Sequence, residues 1–564
     1  MKFKDMEYNR PDVELVMGKI DNIKDEIEKS KSSEEQFEKI LEFDKFNIDI
    51  ETDVEIAQIR HSINTKDDFY SKENDFFDEN LPLIEARNNE VYEKIVKSQY
   101  REELEKKVGK HYFDLLECGL VINEKAIPFM QKENELISKY EKLIANSKIN
   151  LNGNVYTITQ MTPFLESKNR LERKEALDAL YGFFDEKEAE IDAIYDEMVK
   201  VRHEMAVALG YKNYVDLRYR ILKRTDYNSS DVKKYREKVR NVITPLAVKL
   251  RKEQAKRIGV EDFKFYDRPH KFADGNSKPH GDSEFIIKNA QKMYRELSEE
   301  TGEFFDFMVE NELMDLLAKP GKRAGGYCTS LSKYGAPFIF SNFNGTNGDI
   351  DVITHEAGHA FQIYMSQGKV LSQYLWPTYE ACEIHSMSME FLTWPWMDLF
   401  FEEEADKFRY SALFNAITFI PYGVTIDHFQ EFVYENPEAT PEERKTKYRE
   451  LELMYQPDLD YENEFLNKGT YWYKQGHVFA SPFYYIDYTL AQVCAFQFLI
   501  RSLENKDKAL EDYMKICKIG GELPFFKIME SGNLENPMTT DIMEKSVNKL
   551  EEILNKLSFN IENK

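Results

Sequence analysis

Cysteine is scarce in this chain. The five residues, Cys118, Cys328, Cys382, Cys494 and Cys517, are odd in number and contain no C-x-x-C pair. Neither a disulfide framework nor a thiolate metal clip is therefore expected, and reduced thiols in a cytoplasmic protein are the simplest account. Positive charge is also short. There are 76 Lys and Arg against 102 Asp and Glu, a formal net charge of −26. Such a surface repels nucleic acid and anionic membranes, so neither is expected as a partner. No apolar run approaches the roughly 20 residues that a membrane span requires. Met1-Lys2-Phe3-Lys4-Asp5-Met6-Glu7 lacks the apolar core of a secretion signal. Proline and glycine are sparse, 18 and 24 in 564 residues, and no internal repeat or low-complexity linker is visible.

Long stretches rich in Glu, Lys, Leu and Ile take up most of the chain, and strict alternation is rare, which predicts a mainly α fold. Val13–Leu41, Ile84–Val108 and Lys125–Ala145 read as helices of an N-terminal bundle, and further long helices follow from Arg170 to Arg257. Ile149–Thr157 is the clearest hairpin, because Asn152-Gly153 suits a type I′ turn. A boundary within 146–165 divides an N-terminal helical region, residues 1–150, from a larger region, residues 151–564. The polar stretch Asp267–Gly281 is expected to be a loop, with His270 and His280 at its surface or rim. His203-Glu204 has Val207 at the next helical position and is read as helix packing.

With only 10 histidines in the chain, His355-Glu356-Ala357-Gly358-His359 stands out. Two histidines four apart on a helix project from one face and can reach one zinc ion. The adjacent glutamate then lies beside the ion's open position, where it can take a proton from water. The context suits a helix. Ala336–Phe343 reads as a short strand, Asn344–Asp349 as a turn, and Asp349 or Asp351 as a helix cap. Gly358 lies inside the helix, so its missing side chain is expected to let another backbone approach closely.

A catalytic zinc takes three protein ligands. Gln362 follows where a third-histidine pattern would need Gly, so a carboxylate is the better candidate. Tyr379–Leu392 reads as a second helix carrying Glu380, Glu383, His385 and Glu390. Glu383 and Glu390 are two turns apart and share a face, so one can ligate while the other orients a ligand histidine. Glu380 and His385 are rivals on spacing alone. Cys382 beside them is read as a packing residue.

The HExxH segment followed by Glu383-Ile384-His385-Ser386-Met387-Ser388-Met389-Glu390 resembles the thimet oligopeptidase and oligoendopeptidase F family of zinc peptidases, most closely its Pz-peptidase-like bacterial members. The likeness runs from about Val201 to Glu530 and is looser over the N-terminal third. It implies that Glu383, 28 residues after His355, is the third zinc ligand and that Glu390 is the second glutamate of the same segment. It also implies two helical lobes enclosing a deep substrate channel, with a small sheet beside the zinc helix, one Zn2+ per chain, and short peptides as substrates.

Peptide hydrolysis places negative charge on the former carbonyl oxygen, and donors aimed at it contribute about 3 kcal/mol each. Tyr471–Tyr488 is rich in such groups: His477, Tyr484, Tyr485 and Tyr488 are the candidates. The family resemblance favours His477 and Tyr488, with Tyr484 and Tyr485 as weaker matches. Gly325, Gly326, Phe340, Ser341 and Asn342 are expected at the substrate, on the view that the strand 338–343 is an exposed edge able to pair with an extended peptide. The reading is a zinc endopeptidase of short peptides with Glu356 as general base. Its rivals are a catalytically silent helical peptide- or protein-binding protein and a zinc exopeptidase. A silent binder has no use for Glu356, and no motif for capture of a chain terminus is seen. Oligomeric state is not legible.

Overall fold

The computed structural model describes residues 1–563. Its helices start where short polar side chains take up free amides: Asp12 for Val13–Lys29, Ser32 for Ser33–Ile63 and Asp67 for Asp68–Val96. Ser32 is the reason that the continuous helix expected over Val13–Leu41 is two. Its side chain accepts from the Glu35 N–H at 3.1 Å, while Glu35 accepts from the Lys31 N–H at 2.8 Å. Ile84–Val108 is likewise divided, between the end of Asp68–Val96 and a separate Arg101–Val108, where the Ser98 hydroxyl accepts from the Tyr100 N–H. Ile127–Ala145 lies close to its expected range. Four helices occupy the next stretch: Arg170–Glu186, Glu188–Ala208, Tyr214–Ile221 and Ser229–Arg257. Among the described residues, no helix is long and apolar enough to cross a membrane.

The hairpin forms as expected from β1 (Ile149–Leu151) and β2 (Asn154–Tyr156), with Asn152 at φ +51° and Gly153 at φ +79°. The stretch after Asp267 is a loop, and His280 is exposed on it, but His270 is only 4% exposed. The loop is drawn inward by the buried Gln254, whose side-chain amide donates to the carbonyls of Asp267, Arg268 and His270. The expected rim position of His270 is thereby corrected.

A second sheet contains β3 (Met314–Leu317), β4 (Tyr327–Leu331) and β5 (Ala336–Phe343) in the order β3-β5-β4, with β3 parallel and β4 antiparallel to β5. The strand expected at an exposed edge, β5, is therefore the central one, with both its edges already paired. Its composition explains the place: Phe338, Ile339, Phe340 and Ser341 are all buried, a run that fills both faces of a sheet. The edge is β4. Helix Ser33–Ile63 runs antiparallel alongside it. The Ser62 carbonyl accepts from Arg323, Glu55 from Thr329 and Thr52 from Lys333.

The apolar side chains form two cores. One joins most of the buried apolar side chains between Val16 and Leu116, but not Ile56 and Ile59 of the other core, with Leu371 and Tyr374. The other takes in the remaining helices, the sheet, and Leu136, Tyr140, Ile149 and Leu151.

Candidate active site

The HExxH motif lies on the helix Gly348–Met365. Asn347 is its cap residue but makes no side-chain cap bond. Asp349 instead reaches back and accepts from the amides of Asn344 and Gly345 at 2.9 and 2.8 Å, tying the preceding turn to the helix. The helix lies against Tyr379–Leu392 at Gly358. A Cβ there would stand 2.6 Å from Ser386 Cα and 2.7 Å from the His385 carbonyl oxygen, so only glycine allows the approach.

That approach brings Glu383 to both histidines. Its Oε2 lies 3.3 Å from His355 Nε2 and 3.5 Å from His359 Nε2. Donors about 2.0–2.1 Å from a tetrahedral zinc are about 3.3–3.4 Å apart, so the three atoms fit such an ion. Glu390 Oε1 lies 2.7 Å from His355 Nδ1 and sets that ring's orientation. Glu383 is itself held, its Oε2 accepting from the Ser386 hydroxyl at 2.9 Å and its Oε1 from the Tyr484 hydroxyl at 2.5 Å.

The rivals on the same helix are elsewhere. His385 is fully buried against Tyr513, and burial pushes its pKa down to about 3. Glu380 is buried too; burial and then Asp487 push its pKa up. The buried Cys382 thiol donates to the Pro377 carbonyl.

Glu356 sits beside the two histidines, and burial raises its carboxyl above the ordinary range. A Cβ on Gly326 would be 3.4 Å from Glu356 Oε1, so the start of the edge strand passes directly over this carboxylate. Gly325 has φ +95°, and Asn342 donates to its carbonyl and to that of Arg323 at 2.8 Å, holding the glycine loop in place. The Phe340 ring is stacked on Tyr327, with Lys322 Nζ 4.5 Å from its centre, and Ser341 is buried. Neither Phe340 nor Ser341 is placed to meet a substrate with its side chain.

On the other side, His477 Nε2 lies 3.3 Å from the Tyr488 hydroxyl. Gln475 steadies His477 Nδ1 at 3.0 Å and is itself held by the Tyr422 hydroxyl at 2.9 Å. The rings of Tyr484 and Tyr488 stack at 4.8 Å, and Tyr485 turns into the core against Phe419 and Tyr422. Burial pushes His477 down and Tyr484 and Tyr488 well up. The imidazole is thus neutral and the phenols stay protonated, the states in which both can donate hydrogen bonds. Sequence reasoning missed the roles of Ser386, Gln475 and Tyr422, although Ser386 lies within the Glu383–Glu390 segment and Gln475 within the Tyr471–Tyr488 cluster. An open cleft of about 860 Å³ lined by Asp78, Gln131, Lys139 and Lys142 contains none of the site residues.

Known proteins resemble this chain along most of its length. A model of the peptidase M3 N-terminal domain matches residues 3–122, and one of peptidase family M3 matches residues 164–547. A Pz peptidase A solved with an inhibitor is 49% identical, covering 98% of this chain and 99% of that one at a TM-score of 0.97. An oligoendopeptidase F homolog of Borreliella burgdorferi is 23% identical over 443 residues, 71% of this chain and 70% of that protein. With a family model spanning most of its length, the chain belongs to peptidase family M3, a family of zinc-dependent metallopeptidases, and is a peptide-bond hydrolase.

Proposed function

We propose that this protein is an oligoendopeptidase that cuts internal bonds of short peptides with one zinc ion per chain, held by His355, His359 and Glu383. The observation that carries the reading is the spacing of the three donor atoms, 3.3 and 3.5 Å about Glu383 Oε2. When bound, the ion would polarise the peptide carbonyl and make a water beside Glu356 more acidic. Glu356 takes that water's proton on its carboxylate and passes it to the nitrogen of the departing amine. His477 and Tyr488 donate to the carbonyl oxygen as its negative charge grows, which is worth most in a site shielded from water. Tyr484 and Ser386 keep Glu383 in place, and Glu390 keeps His355 in place.

The peptide backbone is aligned along β4, with Gly325 and Gly326 leaving room for it next to Glu356. Backbone pairing reads little of the side chains, so tolerance of sequence is expected. Helix Ser33–Ile63 alongside β4 walls the site and restricts it to short substrates. Five free cysteines suit a reducing compartment, and we place the enzyme in the cytoplasm.

The test uses the purified chain loaded with zinc, an internally quenched peptide of about ten residues and a folded protein. The peptide is expected to be cut within its length in a chelator-sensitive manner, and the folded protein to be left intact. Glu383→Ala is expected to lose zinc. Full zinc occupancy in that variant would remove Glu383 from the ligand set, and cleavage confined to terminal residues would make the enzyme an exopeptidase.

A further inference from the structure

His477 and Tyr488 are eleven residues apart, yet they face each other. The chain between them runs from the short helix Gly476–Ala480 through Ser481, Pro482 and Phe483 into the helix Tyr485–Glu504. The reversal is made at Phe483, which has φ +63°. A bulky L-residue rarely adopts this left-handed conformation, and it persists only where its surroundings leave no alternative.

The surroundings here are three buried or half-buried side chains from distant parts of the chain. Gln430 Oε1 accepts from the Phe483 N–H at 3.0 Å. Arg224 Nη2 donates to the Phe483 carbonyl at 2.6 Å and to Asp487 Oδ1 at 2.7 Å. Arg218 Nε donates to the Pro482 carbonyl at 3.1 Å. Gln430 and Asp487 are almost completely buried, and Arg224 lies over the Tyr219 ring at 4.4 Å. Both main-chain polar groups of Phe483 are thus pinned, and Arg224 ties that turn to the first turn of the helix that carries Tyr488. None of these groups touches the metal-binding atoms or has a direct part in the chemistry described above.

We infer that Gln430 and Arg224 are positioning residues for peptide hydrolysis: by holding Phe483 in its left-handed turn they set His477 and Tyr488 opposite each other at the substrate carbonyl. The inference rests on the proposed role of those two donors. A donor displaced by about 1 Å can lose up to about 100-fold in rate while substrate still binds, so the signature is a fall in kcat with KM preserved.

The experiment compares Gln430→Met, Gln430→Glu, and Arg224→Met combined with Asp487→Asn, which leaves no carboxylate buried without its cation. Each is assayed for kcat, KM, zinc content and thermal unfolding with the quenched peptide. Gln430→Met is expected to lower kcat about 10-fold or more with KM within about two-fold and zinc unchanged. Gln430→Glu keeps an acceptor oxygen for the Phe483 amide and is expected to retain most of kcat.

In a Tyr488→Phe background the Gln430→Met change is expected to cost distinctly less than in the wild type, because one of the two donors it positions is already gone. A full, additive loss there, or an unchanged kcat in the single variant, would overturn the inference. If the double variant does not fold, Gln430→Met alone decides. Wild-type kcat in both Tyr488→Phe and His477→Ala sinks the proposed donors, and the clamp's role with them; that outcome is read without touching Gln430 or Arg224.

Discussion

On the metal side of the site, two histidines stand one turn apart on a single helix, and the carboxylate that meets them comes from a helix pressed against it at Gly358. On the carbonyl side, His477 and Tyr488 are joined by a left-handed turn that Gln430 and Arg224 hold from elsewhere in the chain. Helix periodicity sets the two histidines on one face, and one missing side chain lets the second helix come close. The carbonyl side depends on tertiary hydrogen bonds from residues more than 50 positions away. A site can therefore have one wall written into local sequence while the facing wall depends on the finished fold.

The largest effect that would sharpen this contrast is expected from Glu356→Gln. Zinc is retained and kcat falls about 1,000-fold or more, about 4 kcal/mol of transition-state stabilisation, read by metal analysis and turnover of the quenched peptide. Near-normal turnover would place the base elsewhere.

Next come His477→Ala and Tyr488→Phe, each expected to lower kcat about 100- to 1,000-fold with zinc unchanged. A loss confined to KM would make them substrate-binding groups and remove the carbonyl side from the comparison.

Gly358→Ala tests the metal side through packing. Its Cβ would meet backbone at 2.6 Å, so unfolding stability is expected to fall by about 1–3 kcal/mol, measured as a lower urea midpoint, together with weaker zinc binding. An unchanged midpoint would mean that the two helices can part at no cost.

Gly326→Val is expected to have the smallest effect, about 10-fold in kcat/KM or about 1.4 kcal/mol, with zinc retained. Its nearest neighbours at 3.4 Å include the Glu356 carboxylate itself. An unchanged enzyme would count against a peptide lying along β4.

Much of the helical fold was legible from apolar periodicity, and the hairpin from Asn152-Gly153, because both signals are local. The break at Ser30–Ser32 was legible in principle: Ser32 and Glu35 have the spacing of a capping box, but the flanking apolar pattern continues through it and masks the stop. The strand Ala336–Phe343 was placed correctly along the chain and wrongly in the sheet. Composition identifies a strand, but its neighbours are set by where Met314–Leu317 and Tyr327–Leu331 arrive in space. His270 looked solvated because its neighbours are polar, and Gln254 on a separate helix is what draws it inside.

By itself the sequence determined the chemistry that is available: two imidazoles and a glutamate on one helical face, a glycine where another helix must approach, and acids on that second helix. Which carboxylate meets the imidazoles, which strands lie at the sheet's edges and which tyrosines face the site were decided only in the tertiary structure. The physical reason is range. Helical spacing orients side chains over a few residues, whereas the opposition of His477 and Tyr488 depends on a backbone conformation that Phe483 would seldom adopt without the buried partners at Gln430 and Arg224.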